Sequence, residues 1–262
     1  MAKNIVIVGA SHAGVSCAEQ LRHLGFSGAI TLIDRQSGNP LERPPLSKSY
    51  LVSKVLDDDK FLLRPPEWYK KFQITMIDGV VVTNINPKLH QLQLADGQSM
   101  TYDRLVLATG AKPRQLEETA GLGGVHVLRS PDDAEALRAA MRTAKTVVVI
   151  GGGYIGLEAA ASFSRAGLKV HVIESADRLL GRVASPNMSD FFLALHQRHG
   201  VFLHIGATRT YINHRGGHFS GITLANGQHV AAEMLVVGIG VAPDIALAGA
   251  AGAKIGDGIL VD

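Results

Sequence analysis

At 262 residues and 46% hydrophobic side chains, the chain can bury one large core or two of ordinary size. A formal net charge of +3, spread without a basic block or arginine-rich arm, argues against nucleic-acid binding, although it is compatible with an acidic protein partner. The single cysteine, Cys17, excludes an intrachain disulfide and a thiolate metal cluster and suits a reducing cytoplasm.

The first apolar run, Asn4–Val8, leads directly into Gly9-Ala-Ser-His-Ala-Gly14, which reads as a strand, a tight turn and a helix over Gly14–Leu24. Lys3 ahead of apolar residues imitates a secretory signal, but the run is only a strand long, and the glycine turn and Glu19 break it. A second strand, Ala29–Ile33, ends in Asp34, twenty-five residues after Gly9. Glu42-Arg-Pro-Pro-Leu-Ser-Lys48 follows, a loop stiffened by two prolines and carrying two cations.

From about Ile74 to Tyr102 the pattern changes to short alternating segments joined at Asp96-Gly97, which predicts a small antiparallel insertion. Leu105–Ala108 then reads as a buried strand ending in small residues, and Gly110–Pro113 as the seam between two halves. Pro131 with Asp132 and Asp133 predicts a helix start, over Pro131–Arg142.

The opening plan then recurs about 140 residues on: Thr146–Ile150, Gly151-Gly-Gly-Tyr-Ile-Gly156, a helix over Gly156–Ala166, and strand Lys169–Ile173. Residues 146–163 imitate a membrane span in hydropathy, but three consecutive glycines and Glu158 point to strand, turn and helix, so no membrane segment is expected. Residues 219–230 repeat the antiparallel insertion around Asn226-Gly227, and Met234–Val237 closes the half as another strand. The apolar runs are continuous, as parallel strands covered on both faces by helices require. The fold class expected is α/β, with two Rossmann-like dinucleotide-binding domains bearing small antiparallel insertions.

The second turn carries the strongest chemical signal. Its glycines permit the tight turn, the approach of backbone to pyrophosphate, and close helix–strand packing, while the free amides of the helix start face phosphate oxygens. Glu174, twenty-three residues after Gly151, can accept hydrogen bonds from both hydroxyls of the adenosine ribose and would repel a 2′-phosphate. Arg178 and Arg182 follow closely and pull the other way, toward a phosphorylated ribose. The first turn is weaker, because Ser11 stands where the middle glycine belongs and His12 reads as a solvated loop residue. The eleven histidines lack metal-ligand spacing, so no metal site is expected.

In order along the chain, GASHAGVSCAEQLR, ERPPLSKSYL, YDRLVLATGAKPR, VLRSPDDA, VVVIGGGYIGLEAAA and VVGIGVAPD together resemble the FAD- and NADH-dependent ferredoxin reductases of bacterial oxygenase systems. That family lies within the pyridine nucleotide-disulfide oxidoreductase superfamily and includes putidaredoxin reductase, rhodocoxin reductase and the reductase components of aromatic-ring dioxygenases. Its disulfide-reducing relatives carry a redox cysteine pair where this chain has the ERPPLSK segment.

The resemblance implies FAD and NADH as cofactors. It places Gly9, Ser11, Ala13 and Gly14 on the FAD pyrophosphate, His12 among the cofactor-binding residues, Asp34 on the ribose and Val82 near the adenine. Arg43, Lys48, Ala108, Thr109, Gly110 and Arg129 are implied to surround the rest of the flavin nucleotide. Gly151, Gly153, Tyr154, Ile155, Gly156, Glu174, Arg182 and Gly240 are implied to line the NADH site. Lys48 and Glu158 are the implied catalytic pair, joined as an ion pair near the reactive flavin nitrogen. Counted back from Lys48 without gaps, the family's ribose-binding acid falls on Arg35, so Asp34 serves only through a one-residue slip.

The expected domains are an FAD-binding segment at 1–112, an NAD-binding domain at 113–235, and the start of a return segment at 236–262. The chain closes in a strand-like Gly258–Asp262, where family members continue into a C-terminal interface domain, so that domain is expected to be absent. The expected activity is hydride transfer from NADH to FAD and then single-electron transfer to a [2Fe-2S] ferredoxin or similar protein in the cytoplasm. The alternatives are a flavin subunit feeding another acceptor, as in NADH nitrite reductases, or a truncated chain that binds NAD(H) without activity.

Overall fold

The apolar runs become parallel strands whose residues feed two cores alternately. The computed structural model describes residues 3–53 and 58–262. The chain divides into unit 1, comprising Met1–Glu42, Asp57–Lys112 and Pro243–Asp262, and unit 2, comprising Arg43–Leu56 and Pro113–Ala242. One cut coincides with the expected 112/113 boundary, the later one lies at 242/243 and not at 235/236, and the segment carrying Arg43 and Lys48 groups with unit 2.

In unit 1, strand β1 (Asn4–Val8) runs into helix α1 (His12–His23) and strand β2 (Ala29–Ile33). Helix α2 (Pro66–Lys71) and strands β3 (Ile74–Ile77), β4 (Val82–Asn86), β5 (Gln91–Leu94), β6 (Ser99–Thr101) and β7 (Arg104–Leu107) follow. The main sheet is parallel in the order β3-β2-β1-β7, and β4-β5-β6 form an antiparallel meander. Ile74–Ile77 therefore belongs to the parallel sheet, in register with Ile30–Ile33, and not to the antiparallel insertion expected from Ile74 onward.

The strand pleat explains the packing. Ile5 and Ile7 pack with Val15 and Ala18 of α1 and Tyr69 of α2, whereas Val6 and Val8 pack with Ile85, Leu92 and Leu94 of the meander. So α1 and α2 cover one face while the meander takes most of the other, contrary to the expectation of helices on both. A continuous apolar run reports that both faces are covered, not by what.

Unit 2 repeats the plan with strand β8 (Val125–His126), helix α3 (Pro131–Met141), strand β9 (Thr146–Ile150), helix α4 (Tyr154–Arg165) and strand β10 (Lys169–Glu174). Helix α5 (Pro186–Arg198) and strands β11 (Phe202–Ile205), β12 (Arg209–Arg215), β13 (His218–Leu224), β14 (His229–Ala231) and β15 (Met234–Val237) complete it. The parallel sheet has the order β11-β10-β9-β15-β8, with the antiparallel meander β12-β13-β14 apart from it. Val147 and Val149 face Leu157, Ala160 and Phe163 of α4, while Val148 and Ile150 face Ile212, Phe219 and Ile222 of the meander.

Local signals act as the sequence leads one to expect. Ser130 and Asp133 form a reciprocal capping box ahead of α3, with Pro131 in its first turn. Segment Pro44–Ser47 is a 3-10 turn followed by one helical turn at Ser49–Val52, and Arg138 of α3 anchors it by donating to the Tyr50 and Leu51 carbonyls at 2.7 and 3.2 Å. Back in unit 1, helix α6 (Ala246–Ala250) lays Leu247 against the meander-side core. Among the described residues no helix is long and apolar enough to cross a membrane.

Candidate dinucleotide sites

The second glycine turn stands between β9 and α4. A side chain at Gly151, which has φ +110°, would bring its Cβ to 2.4 Å from the Gly238 carbonyl oxygen, and one at Gly156 would reach 2.0 Å from that of Gly151. Gly153 differs: its φ is −83° and no atom lies within 4 Å of a Cβ built there. The first two glycines make the turn and the packing possible, while the third keeps space open at the start of α4, whose first amides lack intrahelical partners.

Glu174, at the end of β10, turns back onto this loop. Its Oε2 accepts the Gly152 amide at 2.6 Å and its Oε1 accepts the Ala176 amide at 2.8 Å. Each carboxylate oxygen keeps a second lone-pair site for a ligand hydroxyl.

The first turn, in unit 1, has the same construction. A Cβ at Gly9 would lie 2.2 Å from the Ala108 carbonyl oxygen and one at Gly14 only 1.8 Å from that of Gly9. Asp34 accepts the Ala10 amide at 2.6 Å and the Gln36 amide at 2.8 Å, atom for atom the arrangement of Glu174. The acid position is thus filled by Asp34, and Arg35, where ungapped counting puts the family's acid, is instead paired with Asp244 at 3.0 Å. Ser11 caps α1 with φ −89°, the backbone that Gly153 adopts in unit 2, so its side chain fits without strain. His12 and Ala13 are exposed beside it.

Thr109 and Gly110 close the same end of the unit 1 sheet. The Thr109 hydroxyl donates to the Asp244 carbonyl at 2.7 Å, the Asp244 amide donates to the Gly110 carbonyl at 2.9 Å, and Lys112 pairs with the Asp244 carboxylate at 2.9 Å. Val82 starts β4 and packs against the meander-side core. Arg43, Lys48 and Arg129 belong to unit 2, where an Arg43 Nη1 hydrogen donates to the Arg129 carbonyl.

Lys48 and Glu158 do meet: Nζ lies 2.9 Å from Oε1. Two serines that the sequence reading passed over complete this group. The buried Ser47 hydroxyl donates to Glu158 Oε2 at 2.5 Å, and the buried Ser162 hydroxyl donates to the Ser47 carbonyl at 2.7 Å. Glu158 and Ser162 are four apart on α4 and so share a face, a spacing that could have flagged the second serine.

A cavity of about 1150 Å³ opens in unit 2 at the ends of β9 and β10. Of the residues implied for the NADH site, Gly151, Gly153, Tyr154, Glu174 and Arg182 line it, and Ile155, Gly156 and Gly240 do not. Gly240 has φ +100°, and the Arg182 guanidinium is 3.8 Å from a Cβ built on it. Glu118, Arg209, Tyr211 and His214 also line the cavity and were missed: Glu118 lies in the 3-10 turn Glu117–Thr119, and β12, which carries the other three, gives no apolar run. Arg209 is paired with Glu118 at 2.5 Å, and this guanidinium holds the Glu118 carboxyl below the usual range. Among the described residues no group of acidic, histidine or cysteine side chains is arranged to hold a metal ion.

Comparison with known proteins agrees with this geometry. The rhodocoxin reductase of Rhodococcus erythropolis is 42% identical over 99% of this chain and 61% of its own length. The putidaredoxin reductase of Pseudomonas putida is 37% identical, over 99% of this chain and 63% of its own. A rubredoxin-NAD(+) reductase of Pseudomonas putida is 38% identical, over 98% and 67%. Among solved structures, the ferredoxin reductase for the CYP199A2 system of Rhodopseudomonas palustris superposes with a TM-score of 0.94 at 39% identity, over 99% of this chain and 64% of that one. The reductase of a covalent putidaredoxin reductase–putidaredoxin complex superposes with a TM-score of 0.92, over 98% and 63%. The chain therefore spans about three fifths of the length of the first two relatives. The family pattern described as pyridine nucleotide-disulphide oxidoreductase matches residues 3–262, and the chain belongs to that family.

Proposed function

We propose that the chain is the dinucleotide-binding part of an NADH-dependent flavoprotein reductase, with FAD on the unit 1 turn and NADH on the unit 2 turn. The observation that carries this reading is the duplicate cradle: two glycine turns, each with a strand-end carboxylate already bound to a turn amide. Both cradles fit the group assigned to them in that a Cβ is barred at the turn and packing glycines of each, and in unit 2 Gly153 also faces open space. When both are bound, the nicotinamide supplies hydride to the flavin, which passes electrons onward one at a time.

The protein's own contribution is placement and charge. The amides at the starts of α1 and α4 would hold the two pyrophosphates, and Asp34 and Glu174 would take the ribose hydroxyls. Lys48, held by Glu158, would supply the positive charge that a reduced flavin calls for. The lone half-buried Cys17 fits a reducing cytoplasmic setting, and no thiol pair takes part in the relay.

The electron acceptor in this reading is a [2Fe-2S] ferredoxin-type protein, on the strength of the ferredoxin and putidaredoxin reductases among the relatives. Rubredoxin reductases among the same relatives make a rubredoxin the second acceptor to try. The test is the absorbance spectrum of the purified chain, before and after NADH. Flavin bands that bleach on adding NADH are expected, and a colourless protein that does not take up added FAD would refute the reading.

A further inference from the structure

Three arginines line the unit 2 cavity, and each would attract the extra phosphate of an NADP-type nucleotide. Two are already engaged. Arg209 is bound to Glu118, and Arg178 is spent inside the loop that follows β10. Its Nη1 donates to the Ala184 carbonyl at 2.7 Å and to Ser189 Oγ at 3.0 Å, and its Nη2 donates to the Gly181 carbonyl at 2.6 Å. Ser189 is 2% exposed and donates in turn to the Leu179 carbonyl at 2.6 Å.

This knot encloses a strained residue. Leu180 has φ +54°, a left-handed backbone that is uncommon for a bulky side chain and persists only where the surroundings impose it. Its carbonyl accepts the Val183 and Ala184 amides at 2.9 and 3.0 Å, and its own amide donates to the Gly152 carbonyl at 3.0 Å. Gly152 is the residue whose amide holds Glu174. A continuous chain of hydrogen bonds thus runs from the Arg178 guanidinium, through Leu180 and Gly152, to the carboxylate that faces the ribose.

We propose that Arg178 is a positioning residue that sets nucleotide selectivity: its guanidinium braces the loop instead of meeting a 2′-phosphate, and the braced loop fixes Glu174 for an unphosphorylated ribose. The inference rests on reading this cavity as the nicotinamide-nucleotide site. Arg182 is then the cation left to the ligand, with no carboxylate or carbonyl partner among the described residues.

Calorimetric titration of the full 262-residue chain with NADH and with NADPH tests this, using wild type, Arg178→Ala and Arg178→Lys, each checked for folding by thermal melting. Lysine keeps the charge but not the planar fork. Both variants are expected to narrow the wild-type preference for NADH about tenfold, by weakening NADH binding. A preference unchanged in folded Arg178→Lys would reduce Arg178 to a fold element and overturn the proposal. A selective loss of NADPH binding in Arg178→Ala that lysine restores would make Arg178 a phosphate ligand, which also overturns it. If wild type binds neither nucleotide, the nucleotide-site reading itself fails and this inference falls with it.

Discussion

Glu158 shows how a single carboxylate organises a site. Lys48 takes one of its oxygens and Ser47 the other, while Ser162 ties down the backbone that carries both partners. Lys48→Ala removes the positive charge and leaves the backbone tether, so flavin reduction by NADH is expected to slow about a hundredfold while NADH affinity changes little. Stopped-flow reduction at wild-type speed would refute the role of Lys48. The sequence pointed to Lys48 and Glu158 only through the family resemblance, because a lysine in a proline-rich loop has no spacing rule tying it to a helix far along the chain. The serines were invisible for a different reason. A short hydroxyl side chain gives no periodic signal, and its importance appears only when it is buried against a charge.

At the scale of elements, the turn glycines separate shape from ligand. A Cβ at Gly156 would strike backbone at 2.0 Å, whereas one at Gly153 would stand in open space. Gly156→Ala is accordingly expected to cost about 3 kcal/mol or more of stability, a loss of the size that strain in a packed element produces. Gly153→Ala should melt with the wild type and yet bind NADH at least about tenfold more weakly, since its methyl occupies pyrophosphate space. Equal melting and equal affinity for Gly153→Ala would mean that the pyrophosphate lies elsewhere.

Much at this scale was legible. Strands β1, β2, β9 and β15 fall on their apolar runs, and the Asp96-Gly97 and Asn226-Gly227 turns join the strands expected of them. The nature of the second cover was not legible, because Val6 and Val148 are apolar whether a helix or a meander lies over them. Strand β12 was hidden by its polar, exposed residues.

Across the whole molecule, acid sensitivity has an identifiable source. His171 on β10 is 6% exposed, stacks on Phe202 and lies with Nδ1 3.0 Å from His204 Nε2. Burial, then His204, then Lys169 push its pKa from 6.5 down to about 4. The unfolded chain therefore binds the proton first as pH falls. Stability is full above about pH 6.5, declines between there and pH 4, and is level below, with a total loss of about 3 kcal/mol from this group. His171→Phe is expected to flatten that part of the stability–pH curve measured by urea denaturation. An equally steep decline in the variant would assign the sensitivity to the other depressed histidines, His126, His196 and His204.

Asp34 and Glu174 have a kinetic consequence. Each has both carboxylate oxygens engaged by backbone amides, so its rotamer is settled without any nucleotide. On the proposed reading an arriving ribose would not have to select one conformer from many, because the entropy of ordering that side chain was lost when the protein folded. Capture at both proposed cradles would thereby be freed from a conformational search on the acid's side, its speed left to diffusion and to the dinucleotide's own unfurling.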